Sequence, residues 1–400
     1  MNKTLVGVAA VAVAAAAAYP AWVLYQGHLV DQEISKISGE ELHGFGGARY
    51  WTEIQETGRS WSSRQLEVRI KTDDPMLSEL KDQIVYSGQV DLQLGLNVRG
   101  TFKSDPRAGI LALYTLDGKV PYNDHGTFSV STGGKFENLT WTVDPINYTG
   151  EQEKSHFRME RLDFTMTADG KDYTFNGTIP AIAYENPEGG LDIKGLGARS
   201  KSSDKSGTVE YFWETMTVNT PQQVIPVGKL NLSVQAELLT QNKEKPDLVN
   251  GVIKLSLGGV QSKEVSFDNL TMELTTDKLP VLDQQRADES PQAALEALRT
   301  YAAAFEQGMT IRIPSLKVTN GQNESVFSLE LMKKETTNGL AIGEADLSFD
   351  PASLGNGPVA KSLAKEIRNT GRQYWREENG LIKAHWTFPY EYLGVLTGAG

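Results

Sequence analysis

Residues 90–98, Val90-Asp91-Leu92-Gln93-Leu94-Gly95-Leu96-Asn97-Val98, place an apolar side chain at every second position. A period of two is the signature of a half-buried β-strand, and no other run in the chain shows it so cleanly. The reading is one continuous strand over 90–98. Towards the amino terminus, Leu66, Val68 and Ile70 alternate within Ser63 to Lys71. They read as the partner of Tyr50 to Glu56 across a turn at Thr57-Gly58-Arg59. Asp74-Pro75 opens a short helical stretch with Leu77, Leu80 and Ile84 on one face. Towards the carboxyl terminus come short alternating runs separated by turn signals: Phe128 and Val130 before Gly133-Gly134, and Leu139, Trp141 and Val143 before Asp144-Pro145. Leu162, Phe164 and Met166 precede Asp169-Gly170, with Tyr173 and Phe175 beyond, a strong hairpin signal. The pattern resumes at Val209 to Trp213, Leu230 to Leu238 and Leu270 to Leu274.

Two helices interrupt the later strands. The first lies within Pro280 to Gly308, with Ser290 as N-cap, Pro291 at the first helical position and Leu295, Leu298, Ala302 and Phe305 on one face. The second spans Val359 to Glu378, with Leu363, Ile367 and Tyr374 on its apolar side. Leu381 to Tyr392 is the last strand. Phe136 to Thr140 and Phe267 to Thr271 share the pattern F-acid-N-L-T, which raises a repeated β-meander. Each Phe and Leu would then pack on the core, with Asn and Thr turned outward.

Composition narrows the function classes. The formal net charge is −12, which argues against nucleic acid. The absence of cysteine removes disulfides, thiol catalysis and thiolate metal sites. Ahead of the β-rich body, Thr4 to Val30 contains no Asp, Glu, Lys or Arg. At about 1.5 Å per helical residue it is long enough to cross a hydrocarbon core of roughly 30 Å. Leu5, Val6, Val8, Val11, Val13, Trp22, Val23, Leu24 and Tyr25 are its anchoring residues. Trp22 and Tyr25 stand where the chain would leave the bilayer. Lys3 before it, with Asp31 and Glu33 after it, orients the body away from the cytoplasm. A cleavable signal peptide fits the same residues, with small side chains at Ala14 to Ala18. Export follows from either reading.

The chain resembles the YdgA-like proteins of the Gram-negative envelope, a family without assigned function. The resemblance rests on Tyr25-Gln26-Gly27, on Tyr50 to Ile70 with Gly58, Trp61, Ser62 and Ser63, on Asp144 to Tyr148, on Phe164 to Gly170, and most closely on Ile311 to Leu331. Gly380 to Gly400 departs from it. The resemblance implies an inner-membrane anchor and a periplasmic body, and it transfers no catalytic residues.

No chemical motif stands out. His28, His43, His125, His156 and His385 are scattered, without zinc spacing or a triad context. Gly44 to Gly47 and Gly195 to Gly197 lack the context of a phosphate loop. Glu151 with Glu153, or Glu377 with Glu378, offers carboxylate pairs for sugar hydrolysis only if folding sets their separation. Asp73-Asp74 reads as a helix cap. Trp51, Trp61, Trp141, Trp213, Trp375 and Trp386 read chiefly as core, with an exposed row as the alternative.

The expected architecture is mainly β. An amino-terminal transmembrane or signal-anchor helix (1–30) precedes an antiparallel β-meander (31–279), and a helix-containing β region (280–400) continues the same body. The expected function is a non-enzymatic, single-pass inner-membrane protein with its body in the periplasm, acting as a scaffold or holding lipid in an apolar groove. The alternatives are an interaction module that pairs with itself or an envelope partner, and a hydrolase without a recognisable motif. No catalytic residue, cofactor or metal ligand is assigned. The bilayer, a lipid ligand and a second copy are the partners this reading allows.

Overall fold

In the computed structural model the described residues are 22–39, 41–43, 49–74, 77, 83–114, 121–131, 135–150, 154–239, 248–281, 291–336 and 339–389. Leu5, Val6, Val8, Val11 and Val13 therefore lie outside them. So do Leu80, Gly44 to Gly47, Gly133-Gly134, Glu151, Glu153 and Ser290. The side chains of Leu295 and Leu298 are likewise not described. The chain is mainly β, its paired strands antiparallel, and it divides into two units: 1–148 with 159–177, and 149–158 with 178–400. The boundary expected after residue 279 falls inside the second.

In the first unit a helix, α1 (22–37), leads into β1 (Glu41–His43), β2 (Arg49–Arg59), β3 (Ser63–Thr72), β4 (Ile84–Gln93), β5 (Val98–Ser104), a short helix α2 (Gly109–Tyr114), β6 (Asp124–Val130) and β7 (Phe136–Val143). Next along the chain come β8 (Ile146–Thr149), β9 (His156–Met159), β10 (Leu162–Asp169) and β11 (Asp172–Asn186), of which β9 up to Arg158 and β11 from Thr178 belong to the second unit. Strands β1 to β7 pair in succession, and β10 pairs with β7. The single strand expected over 90–98 is two. The chain leaves β4 at Gln93 and re-enters as β5 at Val98, with Gln93 opposite Arg99. Leu94 is buried whereas Leu96 is 69% exposed, so the apolar alternation runs straight through a turn. The preceding turn is also displaced. Gly58 and Arg59 belong to β2, which carries a register shift between Glu56 and Gly58, and the reversal falls at 60–62. Ile84 opens a strand, not a helix face. Asp169-Gly170 does make the expected turn, with Gly170 at φ +66°.

Cross-strand glycines set the packing of β5 and β6. Gly100 lies opposite Phe128, and Phe102 opposite Gly126. A Cβ on either glycine would enter the facing phenyl ring. The two F-acid-N-L-T segments are not equivalent. Between Val130↔Phe136 and Ser129↔Asn138 the register shifts, so Glu137 is an extra residue and Phe136 shares a face with Leu139. Phe267 and Leu270 sit in regular register and point to opposite faces.

The second unit contains β12 (Gly189–Ser202), β13 (Ser206–Trp213), β14 (Thr215–Asn219), β15 (Val224–Val227), β16 (Leu230–Leu238), β17 (Leu248–Gln261), β18 (Ser266–Pro280), α3 (Pro291–Glu306), β19 (Thr310–Asn320), β20 (Asn323–Thr336), β21 (Gly339–Phe349), α4 (Pro358–Asn369), β22 (Trp375–Glu378) and β23 (Leu381–Pro389). Strands β16 to β21 pair in succession, then β21 with β23 and β23 with β22. Both late helices are present, but α4 is shorter than expected, and residues 375–378 are a strand. Its buried face is Ala360, Ala364 and Ile367, packed on Phe349, Ile382 and Ala384. Leu363 and Tyr374, assigned to the apolar side, are exposed. Small alanines let the helix approach the face of the sheet rather than cover its edge.

Gly126→Ala should destabilise the chain by about 1–3 kcal/mol, because the added methyl meets Phe102 and the Thr140 carbonyl. Leu363→Ala on the exposed face of α4 should change it by less than about 0.5 kcal/mol. Denaturant unfolding checks both.

Candidate functional site

Helix α1 continues the uncharged amino-terminal run directly into the body. One face of it, Val23, Gln26, Gly27, Val30 and Asp31, repeats with the helical period. Val23 is fully buried with Leu94 and Val98, and Val30 and Val130 pack beside them. Gln26 Nε2 donates to the Leu96 carbonyl at 3.3 Å. Gly27 faces Arg64: a Cβ there would lie 2.9 Å from Nη2. Asp31 closes the face. Its Oδ1 accepts from Arg64 Nε at 3.0 Å, and its Oδ2 from Arg64 Nη2 at 3.3 Å and Arg59 Nη1 at 3.1 Å. The Arg64 side chain is nearly buried, and its Nη1 also donates to the carbonyls of Ser60 and Ser63. Partial burial works against the charged form of Asp31. Hydrogen bonding and charge from Arg64, with the charge of Arg59, outweigh it and hold the carboxyl below its usual range.

The resemblance segment Tyr25-Gln26-Gly27 is thus a docking face as well as the end of the uncharged run. Of the anchoring residues that are described, Val23 points into the protein, while Leu24 and Tyr25 are more than half exposed. Trp22 stacks near Tyr25, with ring centroids 5.8 Å apart. Among the described residues, no helix is long and apolar enough to cross a membrane.

Two other places gather polar chemistry. Deep in the first unit, Asp124 is buried and accepts from Ser104 N at 3.0 Å, Ser104 Oγ at 2.8 Å and Trp141 Nε1 at 2.8 Å. Burial pushes the hydroxyls of Tyr86 and Tyr122 up, and the nearby Asp124 charge adds to this, against a hydrogen bond between Tyr86 and Ser104. The donors satisfy the carboxylate, which makes this a structural knot across β5, β6 and β7.

In the second unit a cleft of about 550 Å³ lies beside β20, β21 and β23. Ser328 stands opposite Asp346, and Asp346 opposite His385. His385 Nδ1 meets Asp346 Oδ1 at 2.9 Å, and Nε2 meets Thr387 Oγ1 at 3.3 Å. Sequence spacing did not reveal this row, which strand register creates from residues far apart in the chain. Its order, hydroxyl to imidazole to carboxylate, is that of a nucleophile relay. Yet the Asp346 and His385 side chains are more than half exposed, and pairs this open to water interact weakly. Thr387 is merely the next residue but one on the same strand. The cleft also holds Arg372, Tyr374, Trp375, Arg376 and Lys383. Of these, Lys383 and Arg376 are drawn to Glu378.

The remaining predicted residues stay apart. Glu377 pairs with Arg368 and Glu378 with Lys383, so the two carboxylates do not act as a couple. Asp73 holds Arg49; residues 75–76 and 78–82, which an Asp73-Asp74 cap would serve, lie outside the described ones. His28 meets Gln32, and His156 meets Thr149. The tryptophans form no row: Trp141, Trp213 and Trp375 donate inward to Asp124, Gly228 and Arg368, while Trp61 is 55% exposed. Among the described residues no three His, Asp or Glu side chains converge to hold a metal.

Two predictions follow from these contacts. Because its folded pKa is depressed, the Asp31 carboxylate stabilises the fold above its unfolded pKa of about 4, and that contribution disappears as pH falls through the folded value. The stability gap between the wild type and Asp31→Asn should therefore be full at pH 6 and close at more acid pH, as read by denaturant unfolding across pH. Asp124→Ala strands three donors, should cost about 3 kcal/mol or more, and should alter the near-ultraviolet circular dichroism of Trp141.

No curated protein and no solved structure matches the chain. The profile of one family, described as bacterial protein of unknown function (DUF945), matches residues 88–365, which is more than half of the sequence and is consistent with the YdgA-like resemblance. The chain belongs to that bacterial family.

Proposed function

We propose that the chain is a non-enzymatic envelope protein, tethered in the inner membrane by the uncharged run from Thr4, with its β body in the periplasm as a scaffold. The observation that carries this reading is the docking of α1. The run without Asp, Glu, Lys or Arg passes into a helix whose inner face is locked to the sheet by Val23, Gln26, Val30 and Asp31. Cleavage at Ala14 to Ala18 would leave α1 docked but joined to nothing in the membrane. A retained anchor that must hold a body at a fixed attitude needs this coupling.

The lipid-groove half of the reading has less behind it. The two cavities at hand, about 550 and 440 Å³, are lined by groups such as Arg372, Lys383 and His385, and Asp91, Arg99 and Glu137. Charged linings of that kind suit polar ligands better than acyl chains. The scaffold reading stands without a lipid ligand.

Membrane fractionation of cells expressing the full chain tests the proposal. The protein should stay in the membrane pellet through washes with high salt and alkaline carbonate, and external protease should digest the body only once the outer membrane is opened. Release by salt, or a body still protected in spheroplasts, would contradict it.

A further inference from the structure

We infer that the turns joining β2 to β3 and β4 to β5, together with the outer face of α1 at its start, form an apolar rim that seats the first unit on the surface of a lipid bilayer. This deepens the anchored reading and rests on it. Three contacts bring the rim together. Leu94 N donates to the Ser62 carbonyl at 2.8 Å, which joins the two turns. Gln26 Nε2 donates to the Leu96 carbonyl, which joins the second turn to α1. Arg64 bonds the carbonyls of Ser60 and Ser63 while holding Asp31.

The large side chains that this end turns outward are apolar or aromatic. Trp61 and Leu96 project from the two turns, and Leu24 and Tyr25 from the helix, each more than half exposed. The turns themselves, Ser60-Trp61-Ser62 and Leu94-Gly95-Leu96-Asn97, contain no charge, although 22% of the chain is charged. Beside the first turn and α1, Arg59 and Arg64 are both engaged by Asp31; beside the second, Glu137 takes the Asn97 amide and the Ser129 hydroxyl, with Arg99 exposed on β5. A surface that enters the interfacial layer must shed water from its polar groups, and the residues of the two turns themselves carry no charge to desolvate.

The occupant follows from the covalent chain. The run from Thr4 leads into α1, where Val23 packs on Leu94 and Gln26 bonds the Leu96 carbonyl of the β4–β5 turn. A bilayer that holds this run therefore faces these turns. Trp and Tyr prefer the headgroup level of such an interface. The net charge of −12 gives no attraction to anionic headgroups, so the fitting surface is a zwitterionic one.

The absence of cysteine allows a direct test. The full-length chain, carrying Trp61→Cys, Leu96→Cys or the exposed Arg107→Cys at the opposite end of β5, is spin-labelled and reconstituted into phosphatidylcholine nanodiscs. Labels at 61 and 96 should collide with an aqueous nickel chelate severalfold less often than the label at 107, and more often with oxygen. Unlabelled Trp61→Phe supplies a second reading: bromolipid quenching of tryptophan emission should fall relative to the wild type. Aqueous accessibility at 61 and 96 equal to that at 107, in a chain that co-floats with lipid, overturns the rim and leaves the anchor standing. A chain that does not enter nanodiscs overturns both.

Discussion

The Arg64 guanidinium is the point on which the first unit turns. It lies nearly buried on β3, where a charge survives only if its donors are matched. Asp31 on α1 takes Nε and Nη2, and the carbonyls of Ser60 and Ser63 share Nη1. One side chain therefore fixes the helix, the β2–β3 turn and, through Ser62 and Leu94, the β4–β5 turn. Gly27 belongs to the same arrangement, because any side chain there would press on the guanidinium. Removing Asp31 would leave the nearly buried Arg64 Nε and Nη2 without their carboxylate, which is why the contact behaves as a clamp rather than as an ordinary surface ion pair.

That clamp changes the meaning of the segment it holds. A stretch without Asp, Glu, Lys or Arg that runs into a loose stalk tethers a body at any angle. In the anchored reading proposed above, the same stretch runs into a helix with Val23 and Gln26 buried, which would pass its direction to the sheet. The body it directs is an antiparallel meander of long strands. The chemistry on its faces is of a different kind in each unit: a satisfied, buried Asp124 knot in one and an open Asp346–His385 row in the other. The Asp124 carboxylate is already taken up by its donors, and the Asp346–His385 row is open to water.

Much of the β body was legible in the alternation of side chains, because a half-buried strand writes its period into the sequence. The errors share a cause: the period says nothing of where the chain reverses. Leu94 and Leu96 continue the pattern of Val90 and Leu92 through a turn, one buried and the other in solvent. On α4 the large side chains drew attention to Leu363, yet Ala360 and Ala364 make the buried face, because the sheet comes close. The candidate site was legible only in part. The uncharged run and the Tyr-x-Gly segment were visible. The partners Arg64 and Asp31, and likewise His385 and Asp346, lie far apart in the chain and meet through docking and strand register, which leave no local mark in the sequence.

The central claim is that α1 is part of the body. Amide hydrogen exchange of the full-length chain in a membrane mimic addresses it most directly. The account predicts that residues 22–37 exchange as slowly as β3 and β4, since the helix opens only when the sheet beneath it does. Exchange of 22–37 at the rate of a free linker, with β3 and β4 still protected, would contradict it.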